Sequence, residues 1–268
     1  MLNPNHLIFT LAAFVMAQAA PAAAQTAVQG GPDCSRTLTL GLHEHGLLYS
    51  AKTGAGIDKD IADELARRSG CKINMTLMPR ARIWQLIESG ALDLSLSGIT
   101  NEERDKFASF AWYFSNKYYL LVRKDTGVRQ LSDFQADGKL RLGVIRAFRY
   151  SKNANRLVDA LNEEQRVTYS TSLEPLYKVL SSNSIQGMII EPFDYSQVSN
   201  TSIRDFTMII ETRDPSIPHG LIMSNKSLPL KEREKWSALV AEMRTDGTML
   251  RIFNKYFDPQ LADSMVNF

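Results

Sequence analysis

Residues 37–98 read TLTLGLHEHGLLYSAKTGAGIDKDIADELARRSGCKINMTLMPRARIWQLIESGALDLSLSG. Three apolar, alternating runs in this stretch are separated by two amphipathic ones. TLTLGLH (37–43) predicts a strand. Ile57, Ile61 and Leu65 recur every four residues, which gives a helix over 58–68 one apolar face. Gly70 stands where a helix ends on a left-handed residue. CKINMTLM (71–78) predicts a second strand, 81–88 a second helix and LDLSLSG (92–98) a third strand. Alternation of this kind builds a β-α-β-α-β unit, a parallel sheet covered by helices.

Beyond this stretch, Thr100-Asn101-Glu102-Glu103 places Glu three residues after Thr, a capping-box pattern that predicts another helix start. FSNKYYLLVRK (114–124) reads as one long strand. The alternation then restarts with LRLGVIR (140–146), a helix over 151–161, RVTYS (166–170), a helix over 173–180 and IQGMIIE (185–191). GLIMSN (220–225) precedes two C-terminal helices split at Gly247. Two α/β units joined by a long strand predict two similar lobes. The expected partition is residues 36–119 with 220–268 in one lobe and 120–219 in the other. The fold class is α/β.

At the N-terminus, the apolar run LIFTLAAFVMA (7–17) and Pro21-Ala22-Ala23-Ala24 before Gln25 have the build of a secretory signal peptide over residues 1–24. The run is shorter than the ~20 residues a membrane-spanning helix needs. The expected location is therefore the periplasm, and the expected mature protein is a soluble monomer. Net charge of +2 is too small to argue for nucleic acid or an anionic membrane surface as partner. Cys34 and Cys71 are the two cysteines. In an oxidising compartment such a pair forms a disulfide. These two precede the first and second strands, whose starting ends lie side by side if the strands are parallel neighbours. Two free buried thiols are the alternative.

GIDKDIADELARR (56–68), LDLSLSGITNEERDKFASF (92–110) and AEMRTDGTMLRIFNKYFD (241–258) follow one another in an order that is specific. With these motifs the sequence resembles the amino-acid-type periplasmic solute-binding proteins, bacterial extracellular solute-binding protein family 3, over nearly all of the mature chain. It departs from the pattern at Lys59, where an apolar residue is usual, and the 93–104 segment is one residue shorter than in many relatives. The resemblance implies a type II architecture, with each lobe a mainly parallel sheet, two crossing strands as hinge, and ligand in the cleft. It also implies an amino acid or similar small polar carboxylate as ligand, and the membrane subunits of an ABC transporter as partner. No cofactor is expected.

Residue by residue, the resemblance implies that Arg104 forks onto the ligand's α-carboxylate, a task suited to a planar guanidinium. Ser97 and Thr100 would add donors. A surface arginine and a plain helix cap are the alternatives. Glu191 falls where the family places an acid that receives the ligand's amino group; a solvated strand-end carboxylate is the other reading. Arg80 falls among cleft-lining positions, although arginines at helix starts are more often surface residues. Arg146, Phe148 and Arg149 occupy a strand-to-helix turn where relatives often have Gly-Thr. The loop 42–50 (LHEHGLLYS) lacks the aromatic platform of most amino-acid binders, and His45 and Tyr49 are candidates to replace it. His219 completes the candidate contacts. His43 and His45, with Glu44 between them and His219 elsewhere, are a weak metal pattern, and no metal is assigned. An enzyme is the main rival function. Periplasmic dehydratases acting on cyclohexadienyl acids resemble the family, and Glu191 would then be a general acid. Against an enzyme, the chain has no nucleophile-base motif and no phosphate loop. A ligand sensor is the third reading.

Overall fold

Strand β1 (Leu38–Leu42) pairs in parallel with β2 (Ile73–Leu77) and with β3 (Leu94–Gly98). The structure, a computed structural model, describes residues 30–194, 198 and 202–268; the expected signal peptide lies outside the described residues. The connections are α1 (Ile57–Ser69) and α2 (Arg80–Ser89). Ile57, Ile61 and Leu65 are all fully buried, as their spacing requires, and Gly70 closes α1 at φ 72°. Strands β4 (Ala108–Asn116) and β10 (Ile217–Ser224) add antiparallel pairings, giving the order β2-β1-β3-β10-β4.

The second sheet repeats the plan. Strand β6 (Leu142–Ile145) runs parallel to β7 (Val167–Ser170) and β8 (Gly187–Ile190). Strand β5 (Tyr119–Arg123) pairs antiparallel with β8, and β9 (Thr207–Glu211) pairs antiparallel with β5, in the order β7-β6-β8-β5-β9. Helices α3 (Leu131–Ala136), α4 (Lys152–Glu163), α5 (Leu173–Ser181) and α6 (Ile203–Phe206) belong to this half. Apolar side chains fill both faces of the second sheet. After β10 come α7 (Leu230–Thr245), α8 (Thr248–Phe253) and α9 (Pro259–Val266). Their Trp236, Met243, Phe253 and Met265 join Leu40, Leu94 and Phe114 in the core of the first half.

The chain passes between the sheets at β4–β5 and again at β9–β10. A further tie comes from Pro192–Asp194, just after β8: Phe193 is fully buried in the core of the first half, against Phe114, Phe253 and Phe257.

Cys34 and Cys71 form a disulfide with Cα atoms 4.7 Å apart, because β1 and β2 start side by side. On the chain-entropy account a loop of this size contributes about 4 kcal/mol. Nearby, Asp93 accepts both Nη groups of Arg36 (2.8 and 2.6 Å) and the Thr39 amide (2.8 Å), tying the entry of β1 to β3.

Several expectations need correction. The strand expected over 114–124 is two strands, because β4 pairs within the first sheet and β5 within the second. No α-helix starts at Thr100. Its hydroxyl donates to the Asp105 side chain, while Asn101 accepts the Arg104 amide at 2.8 Å, and only a single 3-10 turn, Arg104–Lys106, follows. A capping box instead opens α3, between Gln130 and Asp133. Helices α3, α6 and α9 and strand β9 are additions to the elements that the sequence predicts.

Candidate ligand-binding site

Both sheets direct the carboxyl ends of their parallel strands toward one cavity. His43 follows β1, Ser97 lies at the end of β3, Ala147–Arg149 follow β6, and Glu191 follows β8. Arg80 and Trp84 of α2, Arg104, Tyr118 and His219 complete the wall around about 320 Å³. Ser97 (φ 52°) and Ala147 (φ 63°) are non-glycine residues in the left-handed region, backbone that costs about 1–3 kcal/mol and persists where surroundings enforce it.

Arg80 and Arg104 are buried at 6% and 7% exposure. Arg80 donates to the carbonyls of Leu96 (3.0 Å) and Ser97 (2.8 Å). Arg104 donates to Ile99 (3.0 Å) and, across to the second half, to Ala147 (3.0 Å), while its guanidinium stacks 4.0 Å from the Trp84 ring centroid. Burial, helped by the charge of Arg80, pulls Arg104 down to about 9, still protonated at neutral pH. Phe148 comes from the second half and lies 5.6 Å from the His43 ring, 5.1 Å from His45 and 5.7 Å from the Arg80 guanidinium. Phe148, Trp84 and Tyr118 thus supply the aromatic surface in this site.

Glu191 is buried and fully engaged. Its Oε1 accepts from His45 Nε2 at 2.7 Å and its Oε2 from the Asn116 amide at 2.5 Å, while Asp194 lies 3.6 Å from the same His45 nitrogen. Burial alone would raise the Glu191 carboxyl, but the hydrogen bond and charge of His45 outweigh it and hold it below the usual value. Burial pushes Asp194 up to about 7. Burial opposes a charge on His45, yet Asp194 and Glu191 together raise it.

His219 is neutral, pulled down to about 4 by burial. Its Nδ1 faces the Ile217 carbonyl at 3.0 Å, so that nitrogen holds the proton, and Nε2 accepts from Tyr118 at 2.9 Å. Burial likewise keeps His43 neutral. Among the described residues no group of three or more His, Cys, Asp or Glu side chains is arranged to hold a metal.

The cavity therefore brings together Arg80, Ser97, Arg104, Phe148, Arg149, Glu191 and His219. His45 stands behind it as the partner of Glu191. Thr100 is exposed and bonded to Asp105, outside the cavity. Tyr49 also lies outside, because its backbone pairs with His45 and its ring packs on the first core. Both donors of Ser97 are already used: the amide on the Tyr113 hydroxyl at 2.7 Å, the hydroxyl on Asp58 at 2.6 Å. Asp58, Tyr118 and Asn116 were not singled out in the sequence. Asp58 had a signal, the first acid of GIDKD at a helix start; the other two had none.

The model of the bacterial extracellular solute-binding proteins, family 3, matches residues 45–259. The chain belongs to that family. Family 3 is a family of binding proteins, in keeping with the expectation of a binder rather than an enzyme. A substrate-binding protein of an ABC uptake transporter from Streptococcus pneumoniae, solved with bound histidine, has a TM-score of 0.67 at 17% identity, covering 82% of this chain and 92% of that one. The arginine-, lysine-, histidine-binding protein ArtJ from Geobacillus stearothermophilus gives 0.70 at 17%, covering 83% and 95%. A histidine kinase sensor domain similar to periplasmic binding proteins gives 0.70 at 12%, covering 84% and 97%. At such identities the likeness concerns the fold. No curated protein matches the chain. Among the described residues no helix is long and apolar enough to cross a membrane.

Proposed function

We propose that this family 3 protein is a periplasmic receptor that encloses an amino acid or similar small polar carboxylate and delivers it to the membrane subunits of an ABC transporter. Residues 36–119 with 220–268 form one lobe and 120–219 the other, and the cavity is the cleft between them. Residues 1–24 act as the export signal. The observation that carries this reading is the pair of buried guanidiniums, Arg80 and Arg104, whose hydrogen bonds among the described residues go to neutral carbonyls. Buried cations without a counter-ion are costly, and an arriving carboxylate supplies one. Two of the similar structures are named for histidine or basic amino acids, which supports the amino-acid class. A sensor role is the second reading, favoured by the likeness to a kinase sensor domain.

A thermal-shift screen of amino acids and small carboxylates, followed by calorimetry, tests the binding step, since a ligand of the folded state alone raises the melting temperature. A blank screen on refolded protein removes the solute-binding reading. Uptake that persists unchanged after deletion of this protein removes the transport role and leaves the sensor.

A further inference from the structure

The charges on the two sides of the cavity are matched very differently. Glu191, the residue expected to receive an ammonium group, has its charge answered inside the protein. His45 donates to one oxygen and Asn116 to the other. An incoming ammonium would have to compete with a partner already seated at 2.7 Å.

The opposite wall has no such answer. Arg80 and Arg104 each place two N–H groups on backbone carbonyls and have no carboxylate partner among the described residues. Each guanidinium has five N–H donors, so three remain on each for a ligand. Arg149, half exposed, is a third guanidinium on the same lining, and among the described residues its carboxylate contact is the exposed Asp159 at 3.3 Å. Asp58 attracts Arg80 but does not line the cavity, and its Oδ1 is held by Ser97. The lining thus has three guanidiniums against one carboxylate, and that carboxylate is already paired.

We propose that the cavity selects a small dicarboxylate, with Arg80 and Arg104 taking its two carboxylates and Arg149 at the rim. Glu191 acts as the internal counter-ion of His45 and not as an ammonium receptor. This rests on the solute-binding reading above and narrows it. A fork of two parallel N–H···O bonds suits each guanidinium to one carboxylate. A zwitterionic amino acid with a neutral side chain brings one negative charge to three cations and must also seat an ammonium among them. A dicarboxylate brings two negative charges and no ammonium.

Glutarate and L-glutamate make the decisive pair, because they differ by the amino group alone. The exported form, refolded from denaturant to strip carried-over solute, is titrated calorimetrically with succinate, glutarate, L-glutamate, L-glutamine and L-arginine. The expected result is that succinate or glutarate binds at least tenfold tighter than L-glutamine and L-arginine, with L-glutamate no more than tenfold tighter than glutarate. Arg80→Gln should then lower dicarboxylate affinity at least tenfold. Should that variant not fold, Arg149→Gln at the rim should lower it at least threefold and weaken its dependence on salt. L-Glutamine or L-arginine binding as tightly as both dicarboxylates overturns the inference and leaves the amino-acid reading standing. L-Glutamate binding more than tenfold tighter than glutarate overturns it as well, because the ammonium is then recognised. Failure of both dicarboxylates overturns it whatever else binds, and a blank for every amino acid too would take the solute-binding reading with it.

Discussion

Arg104 shows how much one side chain is asked to do. It stacks on Trp84, bonds its own loop at Ile99 and reaches across to the carbonyl of Ala147. Arg104→Ala is expected to weaken ligand binding by roughly 2 to 5 kcal/mol, because it strands a desolvated carboxylate. Arg104→Lys should recover only part of that, since an ammonium cannot fork; calorimetry on both variants checks the ranking. Asp58 is the second residue with a measurable consequence. Its Oδ1 accepts from Ser97 at 2.6 Å, its Oδ2 has no hydrogen-bond partner among the described residues, and burial raises its carboxyl to about 6. The unfolded carboxyl loses its proton near pH 4 while the native one keeps it, so the native state binds more protons and stability falls as pH rises from about 4 to about 6. Asp58→Asn keeps the bond to Ser97 and removes this titration. The variant should therefore gain on the wild type by up to about 3 kcal/mol between pH 4 and pH 7. Urea unfolding of both proteins at the two pH values decides it, and parallel stabilities would refute it.

At the scale of elements, the covalent link is the simplest to test. Losing the Cys34–Cys71 bridge, by the double Cys→Ser change, should lower stability by about 2–4 kcal/mol and leave ligand affinity nearly intact, because the bridge lies at the starting ends of β1 and β2, remote from the cavity. Unfolding curves of the variant beside wild type measure this. The elements legible in the sequence were those with a clear period: α1 through Ile57, Ile61 and Leu65, and β3 through an apolar run buried on both faces. The break between β4 and β5 was not legible, since both sides of Lys117–Tyr118 are equally strand-like and only their partners differ. The Thr100 pattern misled because the Thr100 hydroxyl goes to Asp105 and Asn101, one residue on, takes the Arg104 amide, where the motif would have Thr100 take that of Glu103. In the site, Arg80, Arg104 and Glu191 were found by their place in motifs. Their partners were not, because the pairing of His45 with Glu191 spans 146 positions and no local pattern encodes it.

For the whole molecule, the two sheets share one strand plan, each with three parallel strands extended by two more through successive antiparallel pairings. Ligand is expected to draw the halves together by rotation about the crossings, as in other hinged binding proteins. Small-angle scattering should show a smaller radius of gyration with saturating ligand than without. An unchanged profile in a protein shown to bind would count against hinge closure. The Arg104–Ala147 contact spans the halves and should be among the first to separate on opening.

Phe193 sets a limit on that motion. It leaves β8 of the second sheet and plugs the core of the first, only two residues beyond Glu191. Glu191 therefore sits at a fulcrum: bound through His45 and Asn116 to the first half, it has leverage but almost no travel. A spin label near Arg149 should sweep a wide arc against the first half, while one near Glu191 should barely shift. Like a door, the cleft opens widely at its outer edge and hardly at all beside the hinge pin.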